Sequence, residues 1–256
     1  MLLAIDAGNT NTVFALYGDN KLHGQWRIVT EAKRTADEYA VYLKQLFGLS
    51  DISMDDIKAV IISSVVPQNM FALKALCKNY FKCEALIVGD DKVNLGIGIK
   101  LPKPSEVGAD RLVNTVSAFN KYGGNVIVID FGTATTFDVV DAVGDYLGGV
   151  IAPGINLSID ALHKAAAKLP EINIVKPSNV IGNSTESAMQ SGIYFGYMGL
   201  IEKITANIKQ EYKRPMLVVA TGGLASLFYD SAGVIDHLDA NLTIDGLNII
   251  YRNNSN

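Results

Sequence analysis

The chain has 256 residues, enough for one or two domains with a full hydrophobic core, and its 49% hydrophobic and 19% charged residues describe a globular protein, not a disordered one. With 22 basic and 26 acidic residues interspersed, the net charge is −4, so the basic footprint of a nucleic-acid binder is missing. The N-terminus meets Asp6 without a basic flank and so does not read as a secretory signal. The uncharged stretches 59–73 and 215–229 contain breakers and fall short of the ~18 apolar residues of a membrane helix, so no membrane is expected and the location is expected to be cytoplasmic. Cys77 and Cys83 read as reduced core thiols, not a redox pair or metal site.

In chain order, apolar residues 2–5 turn at Gly8 into a second strand over 12–17, and Gly18-Asp-Asn20 turns into a third. Thr35 and Glu38 have capping-box spacing and open a helix through Phe47, with Tyr39, Leu43 and Leu46 on one face. A buried strand over 59–66 ends at Pro67, and a helix over 68–81 and a strand over 85–88 follow. The segment 93–104, carrying Gly96, Gly98, Pro102 and Pro104, reads as an exposed loop, and 112–119 as a helix. The pattern then repeats. At an offset of 124 residues, Ala-Ile-Asp6-Ala-Gly8-Asn-Thr-Asn-Thr12 lies over Val-Ile-Asp130-Phe-Gly132-Thr-Ala-Thr-Thr136, with strands over 126–129 and 135–140 and a third after Gly144-Asp145. Helices over 155–168 and 186–210, a strand over 216–220 and a helix near the end complete the second half. Two similar α/β domains, 1–121 and 122–256, are expected.

The loop from Asp6 to Thr12 sets a carboxylate at a strand end, then a glycine, then small residues with hydroxyl or amide groups. A hairpin turn rich in Asn and Gly accounts for such a loop standing alone. A second copy, Asp130-Phe-Gly-Thr133-Ala-Thr-Thr136, favours two matching loops closing on one polyphosphate. Neither loop holds Lys or Arg, so phosphate charge falls to backbone N–H groups and a divalent cation, expected to be magnesium, held or oriented by Asp6 and Asp130. Further on, Gly222 and Gly223 end a strand where a flat ring can lie on bare backbone, or simply make a strand-to-helix turn. Asp110, at a helix mouth, reads either as an N-cap or as a general base for an acceptor hydroxyl, with Arg111 gripping an anionic substrate. As a helix-mouth carboxylate it is expected to stay ionised and to be a weak base that mainly orients the hydroxyl. Asn183-Ser-Thr185-Glu186 opens a helix and is compatible with a substrate contact. His23, His163 and His237 lack ligand spacing. There is no G-x-x-x-x-G-K-[ST], and 96–100 does not complete G-x-G-x-x-G.

The order of two phosphate loops followed by a Gly pair after a strand resembles the actin, sugar-kinase and Hsp70 superfamily. That resemblance implies two duplicated ribonuclease H-like (actin-like ATPase) domains with mixed sheets and a cleft between them. Within it, five segments together resemble type III pantothenate kinases: Asp6-Ala-Gly-Asn-Thr-Asn-Thr-Val13, Glu106-Val-Gly-Ala-Asp-Arg111, Ile129-Asp-Phe-Gly-Thr-Ala-Thr-Thr136, Gly148-Gly-Val-Ile-Ala-Pro-Gly154 and Asn183-Ser-Thr-Glu-Ser-Ala188. The resemblance implies ATP-dependent phosphorylation of pantothenate to 4′-phosphopantothenate, the first committed step towards coenzyme A. By position, Asp6, Ala7, Gly8, Asn9, Thr10, Asn11, Thr12 and Val13 bind ATP, Thr133 meets its phosphates, and Asp130 holds a monovalent cation, potassium or ammonium. This competes with the divalent assignment made from the residues. Asp110 is the proton acceptor, Gly108, Ala109, Asp110 and Arg111 frame pantothenate, and Thr185 contacts it across a homodimer interface. One departure is Leu101, which stands where many members have a pocket-lining Tyr and supplies no phenol hydroxyl. The rivals are a kinase of a sugar or another alcohol, disfavoured by Glu106-Val-Gly-Ala-Asp-Arg111, and a non-catalytic regulator on the nucleotide fold, disfavoured by the presence of Asp6, Asp110 and Asp130.

Overall fold

The structure is a computed structural model that describes residues 1–166 and 168–255. The chain divides into two compact units, Met1–Asn120 with Asn241–Asn256, and Lys121–Ala240.

In the first unit, β1 (Leu2–Ala7), β2 (Asn11–Gly18) and β3 (Lys21–Val29) form an antiparallel meander. Helix α1 (Ala36–Gly48) follows, capped by Thr35 and closed by the reciprocal Glu38 bond that the spacing predicts; it buries Tyr39, Ala40, Leu43 and Phe47, while Leu46 is only half-buried. Strand β4 (Ala59–Ser64) lies parallel to β1, and β5 (Ala85–Ile87) parallel to β4. The resulting sheet has the order β3-β2-β1-β4-β5. Between them α2 (Pro67–Leu76) starts on Pro67, whose fixed φ suits a first helical turn, and passes into a π-helical turn over Cys77–Phe81. The predicted single helix over 68–81 is therefore two pieces. The last helix before the second unit is α3 (Ala109–Tyr122), longer at both ends than its apolar stretch suggests.

The second unit repeats the plan with β6 (Val126–Phe131), β7 (Ala134–Val140) and β8 (Tyr146–Pro153) as a meander. Helices α4 (Ile155–Ala165) and α5 (Thr185–Tyr212) precede β9 (Leu217–Gly222), parallel to β6, then a short α6 (Ala225–Tyr229) and β10 (His237–Leu238). The order β10-β9-β6-β7-β8 is that of the first sheet. Even the irregularity is duplicated: the register shifts between Leu16 and Tyr17 in one sheet and between Val139 and Val140 in the other. Helix α4 stops earlier than the predicted 155–168, within which Ala167 lies outside the described residues; α6 and β10 are too short to leave a periodic signal.

Chain end and domain end do not coincide. Helix α7 (Leu242–Asn253) groups with the first unit, whereas the sequence reading put 122–256 in the second. Its Ile244, Leu247 and Ile250 pack with Val113 and Val116 of α3 against Leu2, Ala4, Ala15, Tyr17 and Ile61 of the sheet. Asp245 on the same helix accepts a hydrogen bond from the Tyr17 hydroxyl at 2.6 Å. Strand β1 is thus buried on both faces, since Leu3, Ile5 and Ala7 face the core under α1 and α2. A strand covered twice is continuously apolar, which is why Leu-Leu-Ala-Ile is interrupted only at Asp6, one residue before the strand ends.

Candidate active site

Each central strand carries a carboxylate one residue before its end. Asp6 is half-buried and is flanked by Val13 on β2 and Ser63 on β4. Asp130 is half-buried between Thr136 on β7 and Thr221 on β9. In the first hairpin Ala7 pairs with Thr12, the Gly8 N–H donates to the Asn11 carbonyl at 3.0 Å, and Asn9 and Thr10 are exposed. In the second, Phe131 pairs with Thr135, and the Gly132 N–H donates to the Ala134 carbonyl at 3.1 Å.

This register corrects the constant offset between the repeats. Asp6 corresponds to Asp130, but beyond the turn Thr12 corresponds to Thr135, not Thr136, and Phe14 to Phe137. The second turn is one residue shorter. Side chains alternate across a strand, so carrying the unshifted offset past the turn would exchange the two faces of β7. The shifted pairing matches like with like: Thr12, Thr135, Phe14 and Phe137 are all fully buried.

Gly222 belongs to the Asp130 site in a more direct sense than a flat surface for a ring. It pairs with Phe131, has φ +95°, and a Cβ there would lie 2.6 Å from Asp130 Oδ1. A Cβ at Gly223 would meet nothing within 4 Å. Thr133 is exposed at the hairpin tip, and its carbonyl accepts the Gly154 N–H at 3.1 Å. The Gly148–Gly154 motif therefore ends against the second hairpin.

In the first unit Asp110 is not an N-cap. Helix α3 begins at Ala109, so Asp110 is its second residue, and its Oδ1 accepts the Arg111 N–H at 2.8 Å. Burial pushes its carboxyl above the ordinary aspartate value, against the lowering effect of the Arg111 backbone bond and guanidinium charge. The weak base expected at a helix mouth is strengthened by desolvation. Gly108 is confined by the same carboxylate, with a Cβ position 2.6 Å from Asp110 Oδ1 and 3.7 Å from Val65 Cγ1. Val65 also donates its N–H to the Ala7 carbonyl at 3.1 Å. Val65 thus lies near Gly108 and is hydrogen-bonded to the end of β1, a placement with no motif to announce it. Arg111 is half-buried, and Leu101 is half-buried in a bend before the 3-10 turn Pro104–Glu106.

A sequence model of the type III pantothenate kinases matches residues 2–207. The chain belongs to this family. It is 59% identical to the type III pantothenate kinase of Paramagnetospirillum magneticum, over 100% of this chain and 98% of that one. It is 56% identical to that of Rhodospirillum rubrum, over 99% of both. In fold it is similar to a conserved Campylobacter jejuni protein assigned to the Baf family of transcriptional activators (TM-score 0.62, 18% identity, 99% of this chain and 98% of that one). It is also similar to the activator of the 2-hydroxyisocaproyl-CoA dehydratase from Clostridium difficile, whose structure has bound ADPNP (TM-score 0.53, 12% identity, 99% and 96%). As a pantothenate kinase, the chain is an enzyme with the duplicated actin-like ATPase fold.

Thr185 is the first residue of α5, whose N-cap Ser184 forms a reciprocal capping box with Ser187. It lines an open, mainly apolar cavity of about 440 Å³ with Leu162, Leu169, Met189 and Ile193. Among the described residues no group of three or more His, Cys, Asp or Glu is arranged to hold a metal. Among the described residues no helix is long and apolar enough to cross a membrane.

Proposed function

We propose that the chain transfers the γ-phosphoryl group of ATP to the 4′-hydroxyl of pantothenate, with Asp110 as the general base. The observation that carries the role of Asp110 is its half-buried carboxylate, held by its own helix and raised in basicity by desolvation, beside a glycine with no side chain to cover it. The hydroxyl oxygen forms a bond to the γ-phosphorus, the bond from that phosphorus to the β–γ bridging oxygen breaks, and the hydroxyl proton passes to Asp110, giving 4′-phosphopantothenate and ADP. The transition state is loose, so orientation of the hydroxyl contributes more than early proton removal. Arg111 holds the pantothenate carboxylate, and Gly108 and Ala109 frame its chain.

Asp6 through Val13 and Thr133 bind the phosphates, and Gly222 and Gly223 lie on the adenosine side. Gly222 has the second function of making room for Asp130. Asp6 is the carboxylate for magnesium and Asp130 that for a monovalent cation; when bound, the ions neutralise charge on the phosphates. Thr185 completes the pantothenate site of a second copy of the chain, and the homodimer is the active form in the cytoplasm. ADP release with ATP, magnesium and potassium, compared across pantothenate, glycerol, several sugars and no acceptor, tests this reading. Stimulation by pantothenate alone is expected; stimulation by a sugar alone assigns a different acceptor. Asp110→Asn is expected to bind nucleotide and lose turnover, and a variant with wild-type turnover removes the base.

A further inference from the structure

The turn of the first hairpin is held from outside by Thr30, the residue after β3. Its N–H donates to the Thr10 carbonyl at 2.9 Å, its Oγ1 donates to the Gly8 carbonyl at 2.7 Å, and the same oxygen lies 2.9 Å from Thr12 Oγ1. A hydroxyl has one proton, and that of Thr30 goes to Gly8, so Thr12 is the donor in the pair they share. One half-buried residue thus ties both ends of Gly8-Asn9-Thr10 and satisfies a fully buried hydroxyl on β2. In a planar trans peptide the carbonyl of one residue and the N–H of the next point in opposite directions. With the Gly8 and Thr10 carbonyls held towards Thr30, the N–H groups of Asn9 and Asn11 are aimed away from it.

The second hairpin is a built-in comparison. Its register sets Thr133 where the first has Thr10 and Gly154 where the first has Thr30, and the Gly154 N–H donates to the Thr133 carbonyl at 3.1 Å. The backbone tie is common to both. The side-chain tie exists only in the first, because a Cβ at Gly154 would collide with the Thr133 carbonyl. The first turn has one more residue and hence one more peptide plane, which the shared tie leaves unfixed. The Thr30 hydroxyl fixes it.

We infer that Thr30 is a positioning residue for nucleotide phosphate: its hydroxyl orients the peptide planes of the longer turn so that their N–H groups are set for the anion before it binds. The inference rests on the reading of Asp6 through Val13 as the ATP loop. Thr30→Val keeps the branched shape and the backbone donor and removes the hydroxyl; Thr30→Ser keeps the hydroxyl. Calorimetric binding of a non-hydrolysable ATP analogue is measured with KM for ATP, KM for pantothenate and the melting temperature. For Thr30→Val, analogue affinity is expected to fall and KM for ATP to rise about tenfold, the loss of about one anchored hydrogen bond's worth of binding. KM for pantothenate stays at the wild-type value, and Thr30→Ser restores both nucleotide constants. A valine variant with wild-type analogue affinity and a lowered melting temperature overturns the inference, since a merely structural bond does that. A folded serine variant with the full loss also overturns it, which keeps the test decisive if the valine protein does not fold. Failure of the wild-type protein to bind the analogue overturns the reading of the hairpin itself.

Discussion

Gly222 offers a perturbation whose size follows from coordinates. In Gly222→Ala the new Cβ lies 2.6 Å from Asp130 Oδ1, 2.6 Å from the Phe131 nitrogen and 2.7 Å from the Phe131 carbonyl carbon, on a backbone with φ +95°. Two of those neighbours are backbone atoms of Phe131, which pairs with Gly222 itself, so the overlap is relieved only by spreading the β6–β9 pair. Holding alanine at such a φ costs about 1–3 kcal/mol, and overpacking at a rigid site about as much again. A total near 4 kcal/mol is a large part of the roughly 5–15 kcal/mol that stabilises a domain, and at about 2–4 °C per kcal/mol it lowers the melting temperature by about 8–16 °C. Gly223→Ala meets nothing within 4 Å, so its effect stays within about 0.5 kcal/mol. Scanning calorimetry of both variants gives the stability difference. ADP release below the melting range gives the second readout, because the same Cβ displaces Asp130 and Gly222→Ala loses turnover. A Gly222→Ala protein that melts with the wild type and turns over at its rate refutes the argument that the carboxylate and the strand end depend on an absent side chain.

Three further outcomes are expected. Because burial raises the Asp110 carboxyl, the native protein holds that proton more tightly than the unfolded chain; its contribution to stability is full at acid pH and is lost as pH rises through the raised native value. Asp110→Asn therefore melts above the wild type at neutral pH, with the gap closing as pH falls to the ordinary carboxylate range, and a variant that melts lower at neutral pH contradicts this. Burial pushes the Cys77 thiol up to about 12 and the Cys83 thiol upwards as well, so a thiol reagent near neutral pH reacts slowly with native protein; two rapidly titrating thiols contradict it. Leu247→Ala opens a cavity at a fully buried position of α7, costing about 2–5 kcal/mol. Hydrogen exchange then accelerates in β1, β2 and β4, and acceleration confined to β6 and β9 shows that α7 belongs elsewhere.

Much of this was readable in advance because it depends on local chemistry. The capping box at Thr35 and Glu38, the duplicated strand-carboxylate-glycine turns and the helix at Asp110 each announce themselves by residue type and spacing. What escaped depends on partners far away in sequence. A one-residue difference in turn length is invisible when Thr135 and Thr136 are both threonine, and only the pairing of Phe131 with Thr135 decides between them. The end of α7 looks like the end of the second unit until its apolar face is found against Leu2 and Ile61. Gly222 read as a platform because nothing in Thr-Gly-Gly says that a carboxylate 92 residues earlier occupies its missing side chain. Thr30 carries no motif, since its hydrogen bonds reach back across the meander to Gly8 and Thr12.

The measurement that bears most directly on the catalytic account is the identity of the product. Purified protein is incubated with pantothenate and ATP labelled in the γ-phosphoryl group, and the acceptor is analysed by mass spectrometry. The account predicts labelled 4′-phosphopantothenate in amounts equal to the ADP formed, and none from Asp110→Asn. Label appearing only as inorganic phosphate, or on pantothenate at an undiminished rate in the Asp110→Asn protein, contradicts it.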